Sequence, residues 1–117
     1  MTDLIACLST GKGTWEHVAR VIQSEAWGSV FIITDEFFAD KIDKKDKELI
    51  IIDRNKTISE MAEEIKKCLQ GKVKDLEVAV NFVSGEGREH MALISALLQL
   101  GLGIRLVVLT KEGVKTI

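Results

Sequence analysis

Apolar residues gather along this chain in short unbroken runs, as in Leu4-Ile5-Ala6-Cys7-Leu8, Val30-Phe31-Ile32-Ile33 and Leu49-Ile50-Ile51-Ile52. Between the runs lie longer segments in which apolar residues recur every three or four positions. An unbroken run suits a strand covered on both faces, and the three-to-four spacing suits a helix that lays one side on a sheet. The pattern predicts strands over Leu4–Leu8, Ser29–Thr34, Glu48–Asp53, about Leu76 to Val83, and Ile104–Leu109. A tight turn at Lys111-Glu112-Gly113 then leads into a short last strand, Val114–Ile117.

The first predicted helix opens at Thr14 as its cap, presents Trp15, Val18, Ala19 and Ile22 on one side, and ends at Gly28. Phe37, Phe38 and Ile42 hint at a short helix within an Asp- and Lys-rich segment, read as a solvated edge. Thr57-Ile58-Ser59-Glu60 has the form of a capping box, followed by a stripe of Ile58, Met61, Ile65, Cys68 and Leu69. The last helix, about Glu86 to Leu100, is apolar nearly all round, which implies a sandwiched helix or a face buried against a second copy.

Strands alternating with helices predict an α/β fold: a Rossmann-like, doubly wound, mainly parallel five-stranded sheet in the order 3-2-1-4-5, with a short antiparallel strand at the end. The 117 residues suffice for a single domain, 1–117. In that order the chain reverses between strands one and four, and a crevice opens at their carboxyl ends.

Composition narrows the function classes. Apolar residues make up 46% of the chain, which is enough for a core, and a net charge of −2 argues against a broad basic face for duplex nucleic acid. No run approaches the about 18 apolar residues of a membrane span, and Met1-Thr2-Asp3 lacks a basic leader, so a cytoplasmic protein is expected. Cys7 and Cys68 have no metal-ligand spacing and read as two buried thiols; no metal or cofactor is expected.

The chemistry-bearing segments are two glycine loops, each leaving a strand and opening a helix. The first is Ser9-Thr10-Gly11-Lys12-Gly13-Thr14 and the second is Ser84-Gly85-Glu86-Gly87-Arg88, preceded by Asn81. A strand-to-helix glycine loop collects free N–H groups at the positive end of a helix, where an anion is stabilised. The first loop lacks both the P-loop spacing and the third glycine of the dinucleotide fingerprint. A cation at Arg88 opposes the helix dipole unless an anion compensates it. Asn81 either ties strand ends together or contacts a ligand. The only histidines, His17 and His90, fall near the starts of the two loop-opened helices, and His90 is a candidate proton carrier.

The segment Val80-Asn81-Phe82-Val83-Ser84-Gly85-Glu86-Gly87-Arg88-Glu89-His90-Met91-Ala92-Leu93 resembles the second motif of the CRISPR-associated Rossmann fold (CARF) domains: an apolar strand, an Asn, a small glycine turn ending in a cation, then an apolar helix. Leu8-Ser9-Thr10-Gly11-Lys12-Gly13-Thr14 is similar to their first motif. Two departures are Glu86, where the family has a second glycine, and Arg88 in place of the commoner lysine. The resemblance implies a homodimer that binds cyclic tetra- or hexa-adenylate across its two-fold axis in antiviral signalling. Ser9, Thr10, Gly11, Lys12, Gly13, Asn81, Ser84, Gly85, Glu86, Gly87 and Arg88 would line the site. With no fused effector in 117 residues, such a protein would be a sensor working through an effector partner, or a metal-independent ring nuclease. In the second case Ser9 and Arg88 would hold the phosphate and stabilise its developing charge, and His90 or His17 would assist attack by a ribose 2′-OH.

Two other classes stay open. One is a different nucleotide- or cofactor-binding Rossmann-like domain of methyltransferase type, for which Asp35 at the end of strand two would contact a ribose. The other is a non-enzymatic adaptor whose apolar last helix docks on another protein.

Overall fold

The computed structural model describes all 117 residues. The elements run β1 (Asp3–Cys7), α1 (Thr14–Gln23), β2 (Val30–Thr34), α2 (Glu36–Ala39), β3 (Glu48–Ile51), α3 (Ile58–Leu69), β4 (Glu77–Asn81), α4 (Gly87–Gln99), β5 (Gly103–Thr110) and β6 (Gly113–Thr116). They build one α/β sheet, broadly Rossmann-like, in the order β3-β2-β1-β4-β5-β6. Every pairing is parallel except β5 with β6. The apolar pattern predicts five strands in the main sheet and a short terminal strand beside them. Here β6 pairs along Val107–Thr110 and makes the sheet six-stranded, because the Thr110 hydroxyl accepts from the Glu112 N–H and donates to the Gly113 carbonyl, closing the hairpin.

The apolar runs place side chains on both faces of the sheet, as the absence of alternation requires. Ile5, Cys7, Phe31, Ile33, Val78 and Val80 face α3 and α4, whose Met61, Ile65, Leu93 and Leu97 complete the larger core. Leu4, Ala6, Ile32 and Ala79 point the other way, toward Val18 and Val21 of α1. Removing Leu, Ile or Val side chains such as these from water is worth about 1.5–3 kcal/mol apiece, so the central strands are fixed first by burial.

Several local expectations change. Helix α1 is capped by Gly13, in the left-handed conformation at φ 77°, and the Thr14 hydroxyl instead donates to the Gly11 carbonyl at 2.7 Å. The capping box at Thr57 and Glu60 is present. Short α2 is capped by Asp35, which accepts from the Phe38 N–H at 3.1 Å. Cys68, expected in the core, is exposed, because the buried side of α3 passes through Ile65 and Leu69 and leaves position 68 at its border. Helix α4 is neither sandwiched nor polar outside. Ala92, Leu93, Ala96 and Leu97 are buried, while Met91, Ile94 and Leu98 on the opposite side are 62%, 37% and 66% exposed.

Candidate functional site

Because β1 and β4 are parallel neighbours, their carboxyl ends deliver both glycine loops to the same edge of the sheet. The loops are bonded to each other. The Gly85 N–H donates to the Thr10 carbonyl at 2.8 Å, the Ser9 N–H to Ser84 Oγ at 2.9 Å, and Ser84 Oγ to the Thr10 carbonyl at 3.0 Å. Thr14 Oγ1 lies 3.0 Å from the same Ser84 hydroxyl, and the Trp15 indole N–H holds the Ser9 carbonyl at 2.8 Å. Ser84, fully buried, is therefore the bolt between the two loops. The N–H groups of Gly11, Lys12 and Gly13, and those of Gly87 and Arg88, make no hydrogen bond within the chain. They are the donors an anion would use.

Behind this rim sits a charged cluster. Glu89, in the first turn of α4, is 1% exposed. Its Oε1 accepts from the Glu86 N–H at 2.9 Å and from the Ser9 hydroxyl at 3.3 Å. Arg54, just past β3, reaches in with Nη2 2.8 Å from Glu89 Oε1 and also pairs with Asp35 and, at 3.5 Å, with Glu86. Burial works against the guanidinium charge, but the bond to Asp35 and the charges of Glu89, Asp35 and Glu86 outweigh it and hold Arg54 above its ordinary value. Gly85 must be glycine here: at φ 97°, a Cβ would stand 2.8 Å from the Glu89 carboxyl carbon.

The remaining loop residues serve tethers. Arg88 turns outward and donates to the carbonyls of Arg54 at 2.9 Å and Lys56 at 2.7 Å, clamping the β3–α3 turn to α4. His90 sits against Phe82 with Nε2 2.8 Å from the Ser84 carbonyl, which makes that nitrogen the donor. Asn81, buried, spends its amide on the Val107 carbonyl at 2.8 Å and on His17 Nε2 at 3.1 Å, and its oxygen accepts from the Val83 N–H. Of the two roles open to Asn81, the structure shows the strand tie. His17 Nε2 also accepts the Leu109 N–H at 3.2 Å, so it must be unprotonated. Burial pushes the His17 pKa below its ordinary value of 6.5. Cys7 is likewise pushed up by burial, with Glu89 adding to the effect and Arg54 opposing it.

The structure thus brings all the expected loop residues to one edge but sorts them. Thr10, Gly11, Lys12, Gly13, Glu86, Gly87 and Arg88 stand at the surface or near it; Ser9, Ser84 and Asn81 are buried. Ser9, Arg88 and His90 are each engaged within the chain, with Glu89, with the Arg54 and Lys56 carbonyls and with the Ser84 carbonyl respectively. The charge beside the second loop is mixed, with Glu86, Glu89 and Asp35 gathered around Arg54. Asp35 is committed to Arg54 and to capping α2, which takes it away from the ribose contact of the alternative reading. No group of three or more His, Cys, Asp or Glu side chains is placed to hold a metal ion, and no helix is long and apolar enough to cross a membrane.

No family model, curated protein or solved structure matches the chain.

Arg54 is a functional candidate that the motif pattern does not single out. It lies three residues past β3, in Asp53-Arg54-Asn55-Lys56, and β3 ends on the same sheet edge as β1 and β4. A lone guanidinium at a strand's carboxyl end, on the edge that carries both glycine loops, was the available signal. It borders a cleft of about 540 Å³ whose walls include Phe37, Ile51, Asp53 and Asn55.

Proposed function

We propose that this chain is a CARF-like sensor that binds a cyclic oligoadenylate as a two-fold dimer. The observation that carries the reading is the junction itself: two glycine loops, bonded through Gly85 and Thr10, presenting five unpartnered N–H groups at the switch point of the sheet. Such donors recognise phosphate without a metal, and a ring of phosphates repeats the contact in each subunit. Lys12 is exposed beside them as a point charge.

The dimer reading draws on α4. Met91, Ile94 and Leu98 form an uncharged outward stripe that begins one turn after the second loop. Self-association over such a stripe would bring the two copies of that loop toward the axis. A sensor is favoured over a ring nuclease because Ser9 is buried on Glu89, Arg88 is held by two carbonyls and His90 donates to Ser84. Ser9 and Arg88 are thereby withdrawn from a phosphate, and His90 is anchored through its donating nitrogen.

Calorimetric titration with cyclic tetra- and hexa-adenylate tests the reading. Micromolar or tighter binding at one ring per dimer is expected, with the ring recovered intact and with Lys12→Glu weakening binding by about ten-fold or more. Absence of binding at 100-fold higher concentration refutes the proposal; linear product without added metal replaces the sensor by the nuclease.

A further inference from the structure

The cleft beside Arg54 is separate from the glycine loops yet joined to the second of them twice: the Arg54 side chain lines the cleft and pairs with Glu86, and Arg88 holds the carbonyls of Arg54 and Lys56. Its volume of about 540 Å³ falls within the range of small-molecule sites. One wall is Phe37, 70% exposed. Lys41 Nζ lies over its ring 3.9 Å from the centroid, and the Phe38 ring meets it edge-on at 4.9 Å. Helix α2, which carries it, is pinned by the Asp35 cap and the Arg54–Asp35 pair. Another wall is Ile51, 47% exposed. An aromatic ring and an aliphatic side chain lining one opening make a slot for a flat group.

The polar groups of the cleft define the edge of that group. Arg54 and Lys56 are neutralised by Asp35 and Glu64, which line the cleft with them. Asp53 uses one oxygen on the Asn55 N–H and keeps the other, while the Asn55 side-chain amide is exposed and unbonded. A free carboxylate oxygen accepts an exocyclic amine, and an Asn amide pairs with an amine and an adjacent ring nitrogen together. A second cation on Phe37 would be repelled by Lys41, and an anion by Asp53. A neutral, amine-bearing aromatic ring fits both constraints.

We propose that this cleft is a nucleobase subsite for an amine-bearing base, adenine in the ligand proposed above, with Phe37 as its stacking platform and Asp53 and Asn55 as the readers of the amine edge. The identity of the base rests on the reading that the chain binds an adenylate; the slot and its edge groups do not. Arg54 then sits between the base and the loops that hold the phosphate.

The test uses the full chain and two probes. Adenosine, titrated by two-dimensional NMR, should shift the Ile51 methyl and Phe37 ring signals, and uridine, which lacks the amine, should bind at least about ten-fold more weakly. Phe37→Ala, at an exposed position that leaves the core untouched, should abolish the adenosine shifts and weaken cyclic tetra-adenylate by about ten-fold or more, the range of one lost base stack. Asp53→Asn should reduce the preference for adenosine over uridine. Unchanged cyclic tetra-adenylate affinity in Phe37→Ala overturns the subsite while leaving the sensor reading intact. If cyclic tetra-adenylate does not bind wild type at all, the sensor reading fails; adenosine shifts at Ile51 then still establish the base site, and their absence overturns it.

Discussion

Replacing Glu89 by Ala is the sharpest probe of what holds the two loops in register. The carboxylate is 1% exposed, 2.8 Å from Arg54, and accepts from the Glu86 N–H and the Ser9 hydroxyl. Removing one member of a buried ion pair costs about 3–5 kcal/mol when the other charge is stranded. Arg54 keeps Asp35 and Glu86, and 28% of its side chain reaches solvent, so the low end, about 3 kcal/mol, applies. The buried Ser9 hydroxyl also loses its acceptor, for about 1 kcal/mol more. At this chain length about 4 °C of Tm accompanies each kcal/mol, so Glu89→Ala should melt about 12–16 °C below wild type. Glu89→Gln keeps the shape and an oxygen for both donors, and should lose about 1–2 kcal/mol. Urea unfolding followed by the fluorescence of Trp15 and Trp27 gives both values, and a double-mutant cycle with Arg54→Leu should return a coupling of about 1–3 kcal/mol. A loss under about 1 kcal/mol for Glu89→Ala, or coupling within error of zero, would show that charge does not set this junction.

Three further outcomes follow from the same geometry. His17 has a folded pKa below its ordinary value of 6.5, so the unfolded chain binds the proton more readily. Its contribution is complete above pH 6.5 and is lost as pH falls through the lower folded value; Tm measured between pH 5 and 8 should fall on acidification, and less so in His17→Gln. Gly85→Ala, which combines a left-handed φ of 97° with a Cβ at 2.8 Å from the Glu89 carboxyl carbon, should cost about 2–3 kcal/mol, whereas Gly87→Ala, whose Cβ meets nothing, should cost under about 0.5 kcal/mol in chemical denaturation. A thiol reagent should titrate Cys68 at once in the native protein and Cys7 only after unfolding; two fast thiols would contradict the burial of β1.

What the sequence disclosed was local or periodic. Unbroken runs such as Leu4–Leu8 suit strands buried on both faces, strands separated by helices favour a parallel sheet, and the doubly wound order brings the ends of β1 and β4 together. Thr57 and Glu60 spoke through a spacing of three. The pairing of Arg54 with Asp35 and of Glu89 with Ser9 did not show, because these partners lie 19 and 80 positions apart in the chain and depend on which strand lies beside which. Ser9 reads as a ligand residue in a glycine loop, yet a neighbouring carboxylate claims it first. Cys68 misled because its place at the border of an apolar stripe leaves burial to a few degrees of helix rotation.

The bond from the Gly85 N–H to the Thr10 carbonyl has a mechanical consequence. Helices α1 and α4 lie on opposite sides of the sheet, and each starts from one of the two joined loops. A push on either loop is therefore delivered to both layers at once, so that a molecule settling on this edge could be felt at the far surface of α4 without touching it.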